Sequence, residues 1–500
     1  MADMVREVER KYEATDDTEL PDLHVKGVAT VTDRGHATLR AVYWDTADSR
    51  LAADGVTLRR RTGGTHEGWH LKLPAGPHTR DEYRVPLAAS PPRTLTALVR
   101  SRARTEPLEP IVELTSERHT FHLQDAEGTL LAEVSRDTVT ATRLGTDDTP
   151  TAHWTEIEAE LADGPPELLE RVGKRLRKAG LRPSRAASKL QRALDETGGT
   201  PPSSEPGPPP TPRNAGDHVL AYVRTQVRAL VALDPAVRRN QPDSVHRMRV
   251  ATRRLRSCFR SHRAVLDRST TDALGEELRW LAAELGQDRD REVLMDRLLD
   301  HLAHLPRPLR LGPVRTRLHT YDRARRTRSR RSVTAVLDGR RYLALLDALA
   351  DLLADPPLRP AAAKPAERVL ARAVRRDTAR LDARVREALA APAGDARDQA
   401  LHRARKAAKR ARYAAEVARP ALGKPAAKHV ERTTALQRLL GDHHDGVVAR
   451  AALRDLAQQA HDAGEHSFTY GVLYEQERTL AQGYERDLPA ARRAATEHRF

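Results

Sequence analysis

The chain has a single cysteine, Cys258, in 500 residues. That excludes an intramolecular disulfide framework and a cysteine-rich zinc site, and a core position is expected for the thiol. Aromatic residues are scarce, at 4%. With Ala, Leu and Arg so frequent, much of the core should be helical Leu/Ala packing rather than aromatic β packing. No run of about 18 apolar residues occurs, and the amino terminus lacks an apolar stretch of the signal-sequence type. A soluble, cytoplasmic protein with no membrane partner is therefore expected. Acid is in deficit: 86 Lys and Arg face 70 Asp and Glu, for a net charge of +16. Such an excess points to a polyanionic partner such as nucleic acid, polyphosphate or a small phosphorylated ligand, although a codon bias toward Arg and Ala explains part of it.

The length predicts about two to four domains. Residues 198–216 are rich in Pro, Gly and Ser and read as a semi-extended spacer. Before it lie short alternating segments separated by turn residues; after it lie long Ala/Leu/Arg stretches of helical period. Strand candidates fall around residues 4–12, 39–46, 56–62, 68–73, 81–87, 111–122, 129–139 and 153–161. Eight of them suit a closed antiparallel barrel. Segments near 94–104 and 166–179 read as helices, the second opened by Pro165-Pro166 and stopped by Gly180.

The strands share an unusual feature, in that charge alternates with apolar residues. Glu7, Glu9 and Lys11 take one face of the first strand, leaving Val8 for outward packing and Arg10 for a helix edge or solvent. Arg59 and Arg61 share a face; His70 and Lys72 oppose Trp69, Leu71 and Leu73; Glu82 and Arg84 alternate with Tyr83 and Val85. Arg118, Glu133 and Asp137 follow, then Glu156, Glu158 and Glu160 against Ile157, Ala159 and Leu161. One such strand is merely a polar face shown to water. Repeated around a barrel whose apolar faces lie under helices, the charges face inward. Burying them unpaired costs several kcal/mol per ion, so the interior must be wet or ionic. Lys11, Arg59, Arg61, Lys72, Arg84 and Arg118 would grip a chain of phosphates. Glu7, Glu9, Glu133, Asp137, Glu156, Glu158 and Glu160 form an oxygen-only set suited to Mg²⁺ or Mn²⁺ rather than zinc.

Glu7-x-Glu9-x-Lys11, Tyr43-Trp44-Asp45-Thr46, Leu58-Arg59-Arg60-Arg61, Trp69-His70-Leu71-Lys72-Leu73-Pro74 and Glu156-Ile157-Glu158-Ala159-Glu160 resemble the CYTH family of triphosphate tunnel enzymes, over residues 1–197. The resemblance implies an eight-stranded tunnel in which basic side chains grip a triphosphate and acidic ones hold divalent metal. Family members include inorganic triphosphatases, thiamine triphosphatases and class IV adenylyl cyclases. Ser188-Lys189 resembles a family element whose lysine reaches back to the phosphates; periodicity alone makes that lysine a solvated helix charge. Glu7, Glu9, Glu156 and Glu158 are the expected metal ligands, with Glu133, Asp137 and Glu160 as supporting partners or a base. Spacing assigns no single base.

After the spacer, His246, Arg249, Arg253 and Arg256 line one helical face at i, i+3, i+7 and i+10. The pattern returns 156 residues later as His402, Arg405, Lys409 and Arg412. Leu285-Gly286 with Asp290 and Val293 likewise recurs as Leu440-Gly441 with Asp445 and Val448. Two motifs at nearly one offset indicate a duplication, with Pro356-Pro357 to Pro365 as the joint, and should bring two basic helices near each other. This region resembles the CHAD family over about residues 217–500, implying a pseudo-twofold helical domain whose basic groove binds inorganic polyphosphate. Lys409 in place of Arg253 keeps charge and loses the guanidinium fork. His443-His444-Asp445 suggests a metal cluster, but its first-copy counterpart, Arg289-Asp290, has no histidine, so helix-end capping or groove lining is expected.

The expected architecture is therefore α+β. It comprises an eight-stranded antiparallel tunnel over 1–197, a linker over 198–216, and an all-α pseudo-twofold pair of helical bundles over 217–500, with halves at about 217–355 and 366–500. The expected function is a divalent-metal-dependent triphosphatase, cleaving inorganic triphosphate to diphosphate and phosphate and carrying a polyphosphate-binding module. An association with polyphosphate granules is compatible with that. A thiamine triphosphatase would need an aromatic platform, from Trp44, Trp69 or Trp154. A nucleotide-using enzyme or cyclase would need adenine contacts, for which the sequence gives no signal. A non-catalytic binder of polyphosphate or nucleic acid is the third alternative, nucleic acid being the less favoured partner.

Overall fold

The computed structural model describes residues 3–76, 78–145, 148–199 and 211–497, with side chains except those of 287–291 and 324–331. Most of the expected linker, and the side chains of Arg289 and Asp290, lie outside the described residues. Two compact units are present, Met1–Pro208 and Pro209–Phe500.

In the first unit the strands are β1 (Asp3–Ala14), β2 (Thr30–Asp45), β3 (Thr57–Thr62), β4 (Gly68–Gly76), β5 (Thr79–Val85), β6 (Glu109–Gln124), β7 (Leu130–Arg143) and β8 (Thr151–Leu161). Antiparallel pairing runs β5-β4-β3-β2-β6-β7-β8-β1, and β1 returns to β5 to close an eight-stranded barrel. Strand β1 divides its length to do so: Asp3–Val8 pair with β5 and Glu9–Ala14 with β8. Glu7 thus lies opposite Arg80, and Glu9 opposite Glu160. A two-residue β9 (Arg182–Pro183) adds to β1. Strand β2 begins at Thr30, well before the expected start near 39. Its first half, with Thr30, Thr32, Arg34, His36 and Thr38, has no apolar face to signal a strand; its pairing with β6 supplies the order.

Among the described residues, four helices, α1 (Arg50–Ala53), α2 (Arg93–Ala103), α3 (Glu167–Lys178) and α4 (Lys189–Glu196), accompany the barrel. The outward strand faces behave as the alternation requires. Tyr12, Leu123, Val134, Ile157 and Ala159 pack under Leu168, Leu169, Val172 and Leu176 of α3. Leu58, Trp69, Leu71 and Tyr83 pack under Leu95, Leu98 and Val99 of α2. One feature departs from a uniformly polar interior. Ala41, Tyr43, Val112, Leu114, Val139, Ala141, Ala152 and Trp154 are in phase with the inward charges yet form an apolar cluster with Leu190, Ala193 and Leu194 of α4. One end of the lumen is therefore a hydrophobic plug closed by α4.

The second unit is helical: α5 (Ala215–Arg238), α6 (Ser244–Ser261), α7 (Arg268–Glu284), α8 (Gly286–His304), α9 (Val314–Asp338), α10 (Arg340–Ala354), α11 (Ala366–Ala390), α12 (Asp395–Leu422), α13 (Lys424–Asp462) and α14 (Phe468–Thr496). Helix α5 starts at Ala215, capped by Asn214 inside the stretch expected as linker. The duplication is visible in the helix order. Helices α5 and α6 correspond to α11 and α12, α9 corresponds to α14, and α13 runs unbroken where the first copy has α7 and α8. The copies share their cores. One cluster joins Val219, Leu255, Leu278 and Leu346 to Leu370, Val374, Ala414 and Val417. Another joins Leu298 and Leu318 to Leu453 and Leu473. Cys258 is buried in the first of these.

Candidate active site and anion groove

The barrel encloses a cavity of about 640 Å³. Inward positions of β1, β3, β4, β5, β6, β7 and β8 bring Glu7, Glu9, Lys11, Arg59, Arg61, Lys72, Arg84, Arg118, Glu133, Glu158 and Glu160 to its wall, joined by Lys189 from α4. Asp137 and Glu156 lie behind that wall, at 0% and 2% exposure.

The acids and bases interlock. Lys72 Nζ donates to Glu7 Oε1 at 2.6 Å. Lys11 Nζ lies 3.1 Å from Glu9 Oε2 and also pairs with Glu158. Arg118 forks onto Asp137, with Nε and Nη2 donating at 2.8 and 2.7 Å, and Nη2 reaches Glu158 Oε2 at 2.8 Å. Against the cost of burial, Lys11, Lys189 and Arg118 hold the Glu158 carboxyl well below the usual carboxylate range. Glu160 goes the other way: burial and Glu7, with Glu9 and Glu158 adding and Lys72 opposing, push it up to about 7. Glu7 Oε2 is buried and accepts no hydrogen bond among the described residues. An oxygen-only donor set with surplus negative charge fits Mg²⁺ or Mn²⁺.

The cations crowd on the other side. Burial, Arg59 and Arg118 draw the Arg61 guanidinium down to about 10, with Glu82 opposing and Arg84 adding. Arg59 Nη1 donates to Tyr43 Oη at 3.1 Å, while its buried Nε has no hydrogen-bond partner among the described residues. Arg84 Nε donates to Glu82 at 2.6 Å, and Glu82 lies 2.9 Å from His70 Nδ1. Such a group of guanidinium forks favours an anion with several oxygens.

Sequence reasoning missed Arg80, which also lines the cavity and lies 3.5 Å from Glu9. It continues the Arg80, Glu82, Arg84 alternation, but precedes the expected strand start at 81. The tryptophans are not where an organic ligand would need them. Trp44 and Trp69 contact each other in the outward core. Trp154 sits in the plug, its indole donating to Glu156 at 2.7 Å. Among the described residues, Tyr43 is the aromatic side chain on the wall besides histidines.

In the helical unit, α6 and α12 bring His246, Arg249, Arg253, His402, Arg405, Lys409 and Arg412 together around a groove of about 680 Å³. Arg256 does not line it; it lies with Arg260 and with Glu276 and Arg279 of α7. Arg249 Nη1 donates to the Gly286 carbonyl at 3.2 Å, and Arg405 lies 3.9 Å from Asp445, so each Leu-Gly motif meets the basic helix of its own copy. Burial, with Arg405, Arg253 and Arg249 nearby and Asp445 opposing, pulls Lys409 down to about 7. His444 packs against His402 at 4.5 Å between ring centroids, and Asp445 lines the groove. His443 instead turns to Glu485 and Asp398, at 3.3 and 3.6 Å. Helix α13 continues through all three residues, so none of them caps a helix end.

Models of known families match both units: the CYTH domain over residues 5–194 and the CHAD domain over residues 221–454. The uncharacterized protein Rv2226 of Mycobacterium tuberculosis is 40% identical over 508 residues, covering 97% of this chain and 96% of that one. Among solved structures, PptA from Streptomyces chartreusis is 22% identical, covering 56% of this chain and 99% of that one, with a TM-score of 0.48. HpAC1 from Hippeastrum, described as revealing a dominant triphosphatase activity, is 16% identical, covering 40% of this chain and 98% of that one, with a TM-score of 0.26. By its domain order and its relative aligned end to end, the chain belongs to the proteins that join a CYTH domain to a CHAD domain.

Proposed function

We propose that the barrel is a divalent-metal-dependent triphosphatase acting on inorganic triphosphate, and that the helical groove binds inorganic polyphosphate. The observation that carries this reading is the crowding of Arg59, Arg61, Arg84 and Arg118 on a closed-ended cavity that also holds Glu7, Glu9, Glu158 and Glu160. The cations grip and orient phosphoryl oxygens, each charge-assisted bond contributing about 1.5–3 kcal/mol. Lys11 keeps Glu9 ionised beside the phosphates, Lys72 pairs with Glu7, and the plug under α4 excludes water from one end. Glu7, Glu9 and Glu160 would hold Mg²⁺ or Mn²⁺, whereas Glu156 and Glu158, expected from the sequence as ligands, are engaged by Lys189. When bound, such an ion neutralises charge on phosphate oxygens and lowers the pKa of a coordinated water.

The tryptophans lie off the wall, which disfavours a thiamine platform. A pure phosphate binder would gain nothing from the acidic set, which disfavours a scaffold without turnover. A substrate panel with Mg²⁺ or Mn²⁺ tests the reading. Phosphate release from inorganic triphosphate should exceed that from thiamine triphosphate and ATP, with no cyclic AMP formed. Preference for either organic substrate overturns the substrate assignment. Competition between polyphosphate and DNA near physiological salt tests the groove, and DNA preference overturns that half. Association with polyphosphate granules in the cell would follow from the groove's affinity.

A further inference from the structure

The tunnel's carboxylates fall into two sets that differ in how completely they are answered. Asp137, Glu156 and Glu158 present oxygens within 4.8 Å of one another. Both oxygens of Asp137 take Arg118, Glu156 Oε2 takes the Trp154 indole, and Glu158 takes Arg118 and Lys11. In their midst lies Lys189 Nζ, at 2.8 Å from Asp137, 2.8 Å from Glu156 and 2.6 Å from Glu158. The ammonium thus lies within ion-pair distance of all three carboxylates, Glu156 Oε1 meeting it without a hydrogen bond. The charges of Asp137, Glu156 and Glu158 balance those of Lys11, Arg118 and Lys189. Around Glu7, Glu9 and Glu160 the match is looser, because Lys72 and Arg80 face three carboxylates with Lys11 shared between Glu9 and Glu158, and Glu7 Oε2 has no hydrogen bond among the described residues.

Lys189 is also held from behind. It opens α4, where Ser188 Oγ accepts from Gln191 N at 3.1 Å, and Leu190, Ala193 and Leu194 are buried in the plug. Its side chain is 8% exposed. A cation tethered so closely competes at high effective concentration with any ion arriving from solution.

We infer that the Lys189 ammonium is the resident cation of the Asp137–Glu156–Glu158 set, so that a divalent metal enters the phosphate-free tunnel at Glu7, Glu9 and Glu160 and reaches the inner set only by displacing Lys189. This rests on the reading of the barrel as a metal-dependent enzyme.

Calorimetric titration of the phosphate-free full chain with Mn²⁺, with free ion counted by EPR, reads the stoichiometry. Lys189→Met should bind one more Mn²⁺ than the parent chain, Lys189→Arg should bind the same number as the parent, and Glu156→Gln added to Lys189→Met should lose the extra ion. Equal stoichiometry for the parent and Lys189→Met overturns the inference. So does a Lys189→Met melting temperature that Mn²⁺ raises no more than it raises the parent's. Mn²⁺ binding that Glu7→Gln and Glu9→Gln leave unchanged also overturns the inference, whereas a parent chain that binds no Mn²⁺ overturns the metal reading of the tunnel instead.

Discussion

The tunnel and the groove both gather basic side chains around a cavity of similar volume, about 640 and 680 Å³, yet they differ in what faces those bases. In the tunnel, carboxylates from β1, β7 and β8 stand among the cations. In the groove, Asp442 and Asp445 are the carboxylates on the wall among the described residues, and the cations come mainly from two helices related by duplication, joined by Arg297 of α8 and Arg438 of α13. Gripping a polyanion needs one sign of charge. Cleaving it needs the other sign as well, to hold the metal and ready the attacking water. The closed barrel supplies both because every strand points alternate residues inward; a helix pair supplies a stripe of one kind.

The largest expected effect separates the two sites outright. Glu9→Gln should reduce triphosphate turnover at least about 10²- to 10³-fold, with polyphosphate affinity, read by calorimetry on the same preparation, unchanged. A parallel fall in both would merge the sites that the comparison keeps apart. Next in size, Arg253→Ala or Arg405→Ala removes one charge-assisted contact of about 1.5–3 kcal/mol, so polyphosphate affinity should drop about 10- to 150-fold and its salt dependence should flatten. An affinity that ignores both substitutions places the polyanion elsewhere.

A smaller effect is set by Lys409, the residue that breaks the symmetry of the two copies. Its pKa of about 7 reflects burial, Arg405 on its own helix, and Arg253 and Arg249 opposite, against Asp445. Below pH 7 the ammonium is already charged; above it, binding a polyanion requires proton uptake. Affinity should therefore weaken as pH rises from 7, by at most about tenfold per unit, with protons taken up in buffer-dependent calorimetry. Lys409→Arg should remove that slope. The smallest effect sharpens the strand logic: Arg10→Ala, between the inward Glu9 and Lys11, should leave both activities unchanged and melting nearly so, within about 0.5 kcal/mol.

How far the sequence could be read follows the same division. Alternation located Glu7, Glu9, Lys11, Arg59, Arg61, Lys72, Arg84, Arg118, Glu158 and Glu160, because in a barrel period two alone decides which side chains face the lumen. It could not reveal the plug, since Tyr43, Val112, Leu114 and Trp154 share the phase of the inward charges and differ from them in position only by the end of the strand they occupy. Arg80 escaped because β5 begins at Thr79, just after a turn. The carboxylate sites of Lys189 depend on how α4 docks, which no local pattern encodes; only its resemblance to a family element gave that lysine a role. In the helices, repetition at one offset marked the groove, yet Arg256 and its counterpart Arg412 part ways, because the two copies differ in what packs beside them.

The most direct measurement is diffraction at the manganese edge from crystals soaked with Mn²⁺ and a non-hydrolysable triphosphate analogue. The account predicts manganese at Glu7, Glu9 and Glu160 and phosphate oxygens on Arg59, Arg61 and Arg84. Manganese absent from the barrel, or the analogue bound away from those arginines, would contradict it.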